Sequence, residues 1–302
     1  MKEILEIPLQ ETPKKVLPPA LSVQDQIENL RSNELRINDD KEAAKILNSI
    51  SYYRLIKAYG VDLKERNSVF DGNVTFIDIY KLYEFNTIFR HLIFEQIERI
   101  EVSFRCRLAN YLCEKYGVLF YENSDAFENE QYYRKFISEV KDSIRRNKQS
   151  PFIKNFQTNY VDGKIPFYAL IEVLSYGTIS KMYKNLHSTD KKAIAQIYGV
   201  GWVYLESWME SIAYIRNICA HYVRLYNIRL DNTPKLSNTA RENDVSNNRI
   251  FGALFCMCEI LPKDIVWINF VDRIDALLMD YAQVDKNKLG FPDNWQELLK
   301  KV

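Results

Sequence analysis

The sequence predicts an all-α protein, a multi-helix bundle organised on one long central helix. Three observations point there. Punctuating residues are scarce, 9 Gly and 9 Pro in 302 residues, which favours long helices over many short strands. Apolar residues recur at three- and four-residue steps from Phe76 to Tyr116 with no Gly or Pro between them, the period of a helix face. No convincing series of strands, internal repeat or low-complexity tract interrupts the pattern.

In chain order, residues 1–20 read as an extended arm, because Pro8, Pro13, Pro18 and Pro19 deny it a stable helix. Ser22 caps a helix over 23–32. Asp39 and Asp40 cap a second, with Ala43, Ala44, Ile46 and Leu47 as its apolar face, running on towards Ser51–Leu55. Residues 60–72 are polar and read as a loop. The long stretch places Ile79, Leu82, Phe85, Phe89, Leu92, Ile93, Ile97, Ile100, Phe104, Leu108 and Leu112 on its apolar side. It is either one bundle spine or two helices end to end. On its other face Glu98, Glu101 and Arg105 are spaced for intrahelical ion pairs. Exposed salt bridges are the plain reading, and support of a neighbouring site by Glu98 or Arg105 is the alternative.

Further helices are expected at 129–147, 151–160, 165–175, 178–187 and 190–198, the last capped by Ser188-Thr189-Asp190. Gly199-Val200-Gly201 breaks the chain before a helix that begins at Trp202. Residues 227–247 are polar and irregular. Two apolar helices, 248–261 and 264–284, then lead to a turn at Gly290–Trp295. The organisation is thus an arm (1–20), an N-terminal helical segment (21–75) and a larger helical domain (76–302).

A formal charge of +1 supplies little long-range attraction for nucleic acid, so any such contact must come from local patches. Arg145, Arg146 and Lys148 form the densest basic run, with Lys181, Lys184, Lys191 and Lys192 next; solvated helix faces are the plain reading of both. Five cysteines (Cys106, Cys113, Cys219, Cys256, Cys258) lack zinc-type spacing, and Cys256-x-Cys258 reads as packing inside an apolar helix. With no apolar leader and no bilayer-length apolar run, a reduced cytoplasmic protein with free thiols is expected. There is no Walker loop, Rossmann fingerprint, HExxH or G-x-S-x-G. No cofactor, metal, membrane or DNA is expected.

One string stands out: Arg216-Asn217-Ile218-Cys219-Ala220-His221, which holds one of the chain's 3 histidines. Leu205, Trp208, Met209, Ile212, Ile215, Cys219, Tyr222 and Val223 make an apolar stripe, with Arg216 on its edge. A guanidinium there requires a carboxylate, a carbonyl or a ligand phosphate. His221, five residues on, lies about 140° round an unbroken helix, so the two side chains converge only at a cleft edge or where the helix unwinds near Ala220. Asn217, four residues before His221, lies directly beneath it and is placed to fix the imidazole. Glu210, Tyr214, Asn217, His221 and Arg224 make a polar face. A cation for a phosphate and an imidazole for its proton suit a metal-independent ribonuclease. The plain alternative is an Arg and a His spaced by chance.

Arg216-Asn217-x-x-x-His221 resembles the R-[N/D/H]-x-x-x-H signature of HEPN-domain proteins. The wider chain resembles the Abi-2 family of bacterial abortive-infection proteins, of the AbiD/AbiF type. The likeness runs through Leu21–Ile27, Ile50–Leu55, Ile97–Arg105, Leu174–Ser180, the motif itself and Gly290-Phe291-Pro292-x-x-Trp295, as one unit over 18–296. It implies a HEPN-like helical core, phage defence, association with RNA and a site built from two copies of the motif. His91 follows Asn86 and His187 follows Met182 at the same spacing, so neither supplies the second copy, and the resemblance implies a homodimer. Arg216, Asn217 and His221 would be the catalytic set for transesterification by the RNA 2′-hydroxyl. Arg224, Tyr214, Arg54, Arg145, Arg146 and Lys148 are candidate RNA contacts. The alternatives are a non-catalytic RNA-binding or regulatory module, a toxin held silent by a small RNA, or a protein-interaction scaffold.

Overall fold

The computed structural model describes residues 17, 19–64 and 69–301. Apart from 17, 19 and 20, the expected arm lies outside them, as does part of the expected loop at 60–72. Helices make the fold, and extended contacts are isolated bridges, such as Arg36 with Thr75 and Phe127 with Leu186. Two compact units are present, one ending at Tyr80 and the other beginning at Lys81.

In the first unit, α1 (Val23–Ser32) starts where the sequence says it should. Ser22 accepts the Asp25 N–H while the Asp25 carboxylate accepts the Ser22 N–H, a closed capping box that satisfies two orphan donors. α2 (Asp40–Ser49) is capped by Asp39, whose carboxylate accepts the Lys41 and Glu42 amides at 2.8 and 3.1 Å. It does not run on towards Leu55. Ile50 turns extended, and a single π-helical turn follows at Tyr53–Lys57.

The long stretch is one helix, α3 (Phe76–Tyr116), not two. It ends at Gly117, whose φ of +86° is the left-handed stop that glycine takes without a Cβ clash. All eleven apolar positions named for it are buried; at roughly 1.5–3 kcal/mol for each fully buried large side chain, this stripe is a principal source of fold stability.

The second unit continues with α4 (Glu130–Arg146), α5 (Pro151–Asn159), α6 (Phe167–Leu170), α7 (Tyr176–Lys184), α8 (Ser188–Gln196), α9 (Trp202–Ala220), α10 (Asn238–Glu242), α11 (Ile250–Ile260), α12 (Ile265–Asp280) and α13 (Trp295–Lys301). The expected helix at 165–175 is only a turn of α-helix after Pro166 and a 3-10 turn at Ile171–Val173. α10 falls where a polar loop was expected, and α13 begins at the last residue of the expected turn, its apolar triplet Trp295, Leu298 and Leu299 all buried. α9 packs on α7, α8 and α11. α11 is buried all round, from Ile250 to Cys258, so Cys256 and Cys258 pack in the core. All five thiols are free.

α8 fixes α3 and α9 with opposite charges on adjacent residues. Asp190 is fully buried and accepts from Tyr111 at 2.7 Å, from Tyr116 at 2.8 Å and from Lys115. Lys191, 4% exposed, reaches Glu206 of α9 at 3.1 Å and lies 4.8 Å from the Trp202 ring. The solvated face expected for Lys191 is therefore corrected: its ammonium is paired inside the fold.

Candidate functional site

α9 carries the motif, and its burial pattern explains where each motif residue points. Leu205, Trp208, Met209, Ile212, Ile215 and Cys219 are buried as the stripe requires. Tyr222 and Val223 are not, at 62% and 48% exposure. The reason is local: α9 stops at Ala220, so the stripe ends one turn sooner than the sequence suggests.

The stop is a Schellman turn. The Val223 N–H bonds the Ile218 carbonyl at 3.0 Å and the Tyr222 N–H bonds Cys219 at 3.3 Å, the pairing that closes such a helix end. Tyr222 occupies the left-handed position with φ +59°, where glycine is usual and a β-carbon costs about 1 kcal/mol. His221 is the C-cap residue, exposed, and among the described residues no side chain hydrogen-bonds its ring. The helix does end beside the motif, but the His221 N–H still bonds the Asn217 carbonyl, so the chain leaves α9 only at Tyr222 and His221 stays about 140° round from Arg216.

Arg216 is set by α3. Its guanidinium is centred 6.0 Å from the Phe94 ring, and its Nε lies 3.8 Å from a Glu101 carboxylate oxygen. That is an ion pair without a hydrogen bond, and Nε is buried with no hydrogen-bond partner. Its side chain is 36% exposed. The other Glu101 oxygen pairs with Arg105, which also donates to the Ile171 carbonyl and is itself 8% exposed. A carboxylate thus stands between two guanidiniums, one buried and fully engaged, the other half-open. Asn217 is exposed and sits beside Arg216, whose Nη1 approaches its side-chain oxygen at 3.5 Å. It makes no bond to the His221 ring; what links them is the backbone bond from the His221 N–H to the Asn217 carbonyl at 3.0 Å.

Two further α3 residues, unforeseen from the sequence, hold the segment after the motif. Arg90, 3% exposed, donates to the Cys219 carbonyl at 3.0 Å and lies 5.6 Å from the Tyr222 ring. Asn86, fully buried, accepts the Leu225 and Tyr226 amides at 2.7 and 3.0 Å. The contacts 86 with 225 and 226, 90 with 219 and 222, and 101 with 216 run in opposite order along the two helices, so α3 and α9 are antiparallel. Asn86, Arg90, Phe94, Glu101 and Arg105 fall within about 100° of one another round α3. Polar residues within a helix's apolar stripe were the available signal.

The remaining candidates separate. Arg105 shares the Glu101 carboxylate with Arg216. Glu98 is exposed on the outer ridge of α3 with His91, Glu95 and Val102, and among the described residues it makes no ion pair. The Tyr214 hydroxyl approaches Asp231 at 3.3 Å, and burial raises its pKa above 10.0. Arg224 is half-buried. Arg145, Arg146 and Lys148 are exposed at the end of α4, Arg145 paired with Asp142 at 2.9 Å. Arg54 belongs to the first unit. The Cys219 thiol is pushed up to about 12 by burial, against the pull of Arg90, so it is inert between the motif residues.

With this geometry in place, the family assignment is direct. The family model of Abi-like proteins matches residues 45–227, more than half of the chain. The chain belongs to the Abi-like family. That membership supports a part in phage defence by abortive infection. The matched span contains the motif, the Glu101–Arg105 pair and both α3 residues that hold the α9 end; Leu21–Ile27 and Gly290–Trp295 lie beyond it. No curated protein and no solved structure matches the chain. Among the described residues no helix is long and apolar enough to cross a membrane, and no three His, Cys, Asp or Glu side chains gather as a metal site would need.

Proposed function

We propose that this Abi-like protein is a metal-independent endoribonuclease of the HEPN type, each chain supplying half of a site that a second copy completes. The observation that carries the reading is Arg216: a half-open guanidinium, held in place by Phe94 and Glu101 without a hydrogen bond to the carboxylate, five residues before an exposed imidazole at a helix end. A fork that is positioned yet uncommitted is what a phosphate requires.

In the reaction the RNA 2′-oxygen attacks its own phosphorus as one His221 imidazole takes its proton. The bond from phosphorus to the 5′-oxygen breaks, and the imidazolium of the second copy protonates that oxygen. The products are a 2′,3′-cyclic phosphate and a 5′-hydroxyl. Arg216 stabilises the charge gathering on the non-bridging oxygens. Two imidazoles divide the acid and base work, which is why one copy is insufficient. Asn217 sits beside the Arg216 fork and fits phosphate orientation better than imidazole orientation.

The test compares purified wild type with His221→Ala on total RNA and defined oligonucleotides in chelator. The expected result is a loss of cleavage of about 10²–10⁴-fold with RNA binding kept, and products bearing 5′-hydroxyl ends. Equal binding with no cleavage by either protein favours the RNA-binding module, and binding by neither favours the scaffold. A wild type that cuts RNA as a monomer, by light scattering, removes the second copy. Arg145, Arg146 and Lys148 are assigned to the RNA track. Replacing all three by Ala is expected to flatten the salt dependence of binding by about one unit of log slope for each phosphate left without its cation; an unchanged slope takes the α4 end out of the track.

A further inference from the structure

The end of α9 raises a question that the motif alone does not answer: why the helix stops where it does. Ala220-His221-Tyr222-Val223-Arg224 contains no Gly or Pro, and a tyrosine takes the left-handed position that glycine occupies in most such stops. Left to local preference the helix would run on. A further turn would then follow His221, and its imidazole would no longer stand at an open helix end.

Two residues of α3 favour the stop. Arg90 places a nearly fully buried cation on the Cys219 carbonyl at 3.0 Å, one of the last carbonyls of a 19-residue helix, where positive charge is favourable. The same guanidinium lies 5.6 Å from the ring of Tyr222 in its turned, left-handed backbone. One turn earlier on α3, Asn86 accepts the two amides of Leu225 and Tyr226 and so fastens the outgoing strand of chain. No carboxylate pairs with Arg90 among the described residues, so its charge is committed to the helix end.

We infer that Arg90 is a positioning residue: by binding the Cys219 carbonyl and the Tyr222 ring it holds the Schellman stop just past His221, and so keeps the last turn of α9, which carries the imidazole, as a fixed open end. Asn86 holds the far side of the same turn. This rests on the ribonuclease reading for its consequence in catalysis, but not for its consequence in structure.

The test uses full-length Arg90→Gln, alone and with Tyr222→Gly, which takes the left-handed conformation unaided. Arg90→Gln is expected to lower kcat by about 10²-fold, the scale of a roughly 1 Å misplacement, with KM little changed, and to shift the His221 imidazole resonances in NMR. The double variant is expected to recover most of the kcat and return those resonances towards wild type. Unchanged kcat and imidazole shifts in Arg90→Gln overturn the inference. So does a double variant that recovers its melting temperature but neither kcat nor shifts, since Arg90 would then act on stability alone. If wild type cuts no RNA the ribonuclease reading fails, and the imidazole shifts alone decide: displaced by Arg90→Gln and restored by Tyr222→Gly upholds the positioning role, and anything else ends it.

Discussion

Asp190→Ala should destabilise the fold by about 3 kcal/mol, lowering the melting temperature by roughly 6–12 °C for a domain of this size. The carboxylate is fully buried and accepts from two tyrosine hydroxyls and an ammonium, and its loss strands all three donors. An orphaned buried donor costs about 1–3 kcal/mol and a broken buried ion pair about 3–5. The sum is held down because the Lys115 side chain is 40% exposed and turns to water. Asp190→Asn keeps the shape and some acceptance, and should cost less. Burial alone would raise the Asp190 pKa, but the hydrogen bonds from Lys115, Tyr111 and Tyr116 together bring it below its ordinary 3.8. A carboxyl with a lowered folded pKa contributes fully above its unfolded pKa and loses that contribution as pH falls through the folded one. The difference in stability between wild type and Asp190→Ala should thus be constant near neutrality and shrink only below about pH 4. A difference that vanished between about pH 5 and 7 would mean that the ionised carboxylate is not what holds α8 to α3.

How much of this was legible in the sequence depends on whether the deciding interaction is local. Ser22, Asp39 and the α3 stripe were readable because caps and apolar period act within a few residues, and α3 runs as one helix because nothing between Phe76 and Tyr116 interrupts it. The α9 end was not readable, since residues 220–224 carry no stop signal and the decision is made by Arg90 and Asn86, which lie 129 and 139 residues away from the groups they hold. For the same reason Glu101 read as half of an exposed i,i+4 pair with Arg105. The pair exists, but its side chains are only 15% and 10% exposed, because α9 lies over that face. Lys191 was misread because composition treats lysine as solvated, whereas its ammonium lies by the Trp202 ring and pairs with Glu206. In each case the missing signal was the same: polar residues standing where helical period assigns the core.

The half-open state of Arg216 predicts a dissociation of stability from activity. Arg216→Ala should change stability by less than about 1 kcal/mol, because the side chain is 36% exposed and makes no hydrogen bond to Glu101, the regime in which ion pairs contribute little. The same change should lower kcat for RNA cleavage by about 10²–10³-fold, the usual consequence of removing a group that stabilises transition-state charge. Arg216→Lys should not rescue it, since an ammonium cannot present a planar fork to two phosphate oxygens. Glu101→Gln should behave oppositely in stability. It leaves Arg105 buried with a neutral amide oxygen in place of its counter-charge, costing about 3 kcal/mol, and it removes the negative charge that lets two guanidiniums lie on one carboxylate. Activity should fall as well, because Arg216 loses its counter-charge and its place. Thermal denaturation and single-turnover cleavage on the same four proteins separate the roles. If Arg216→Ala proves as destabilising as Glu101→Gln, the arginine is a structural partner of that carboxylate, and its exposure at the end of α9 has no bearing on phosphate.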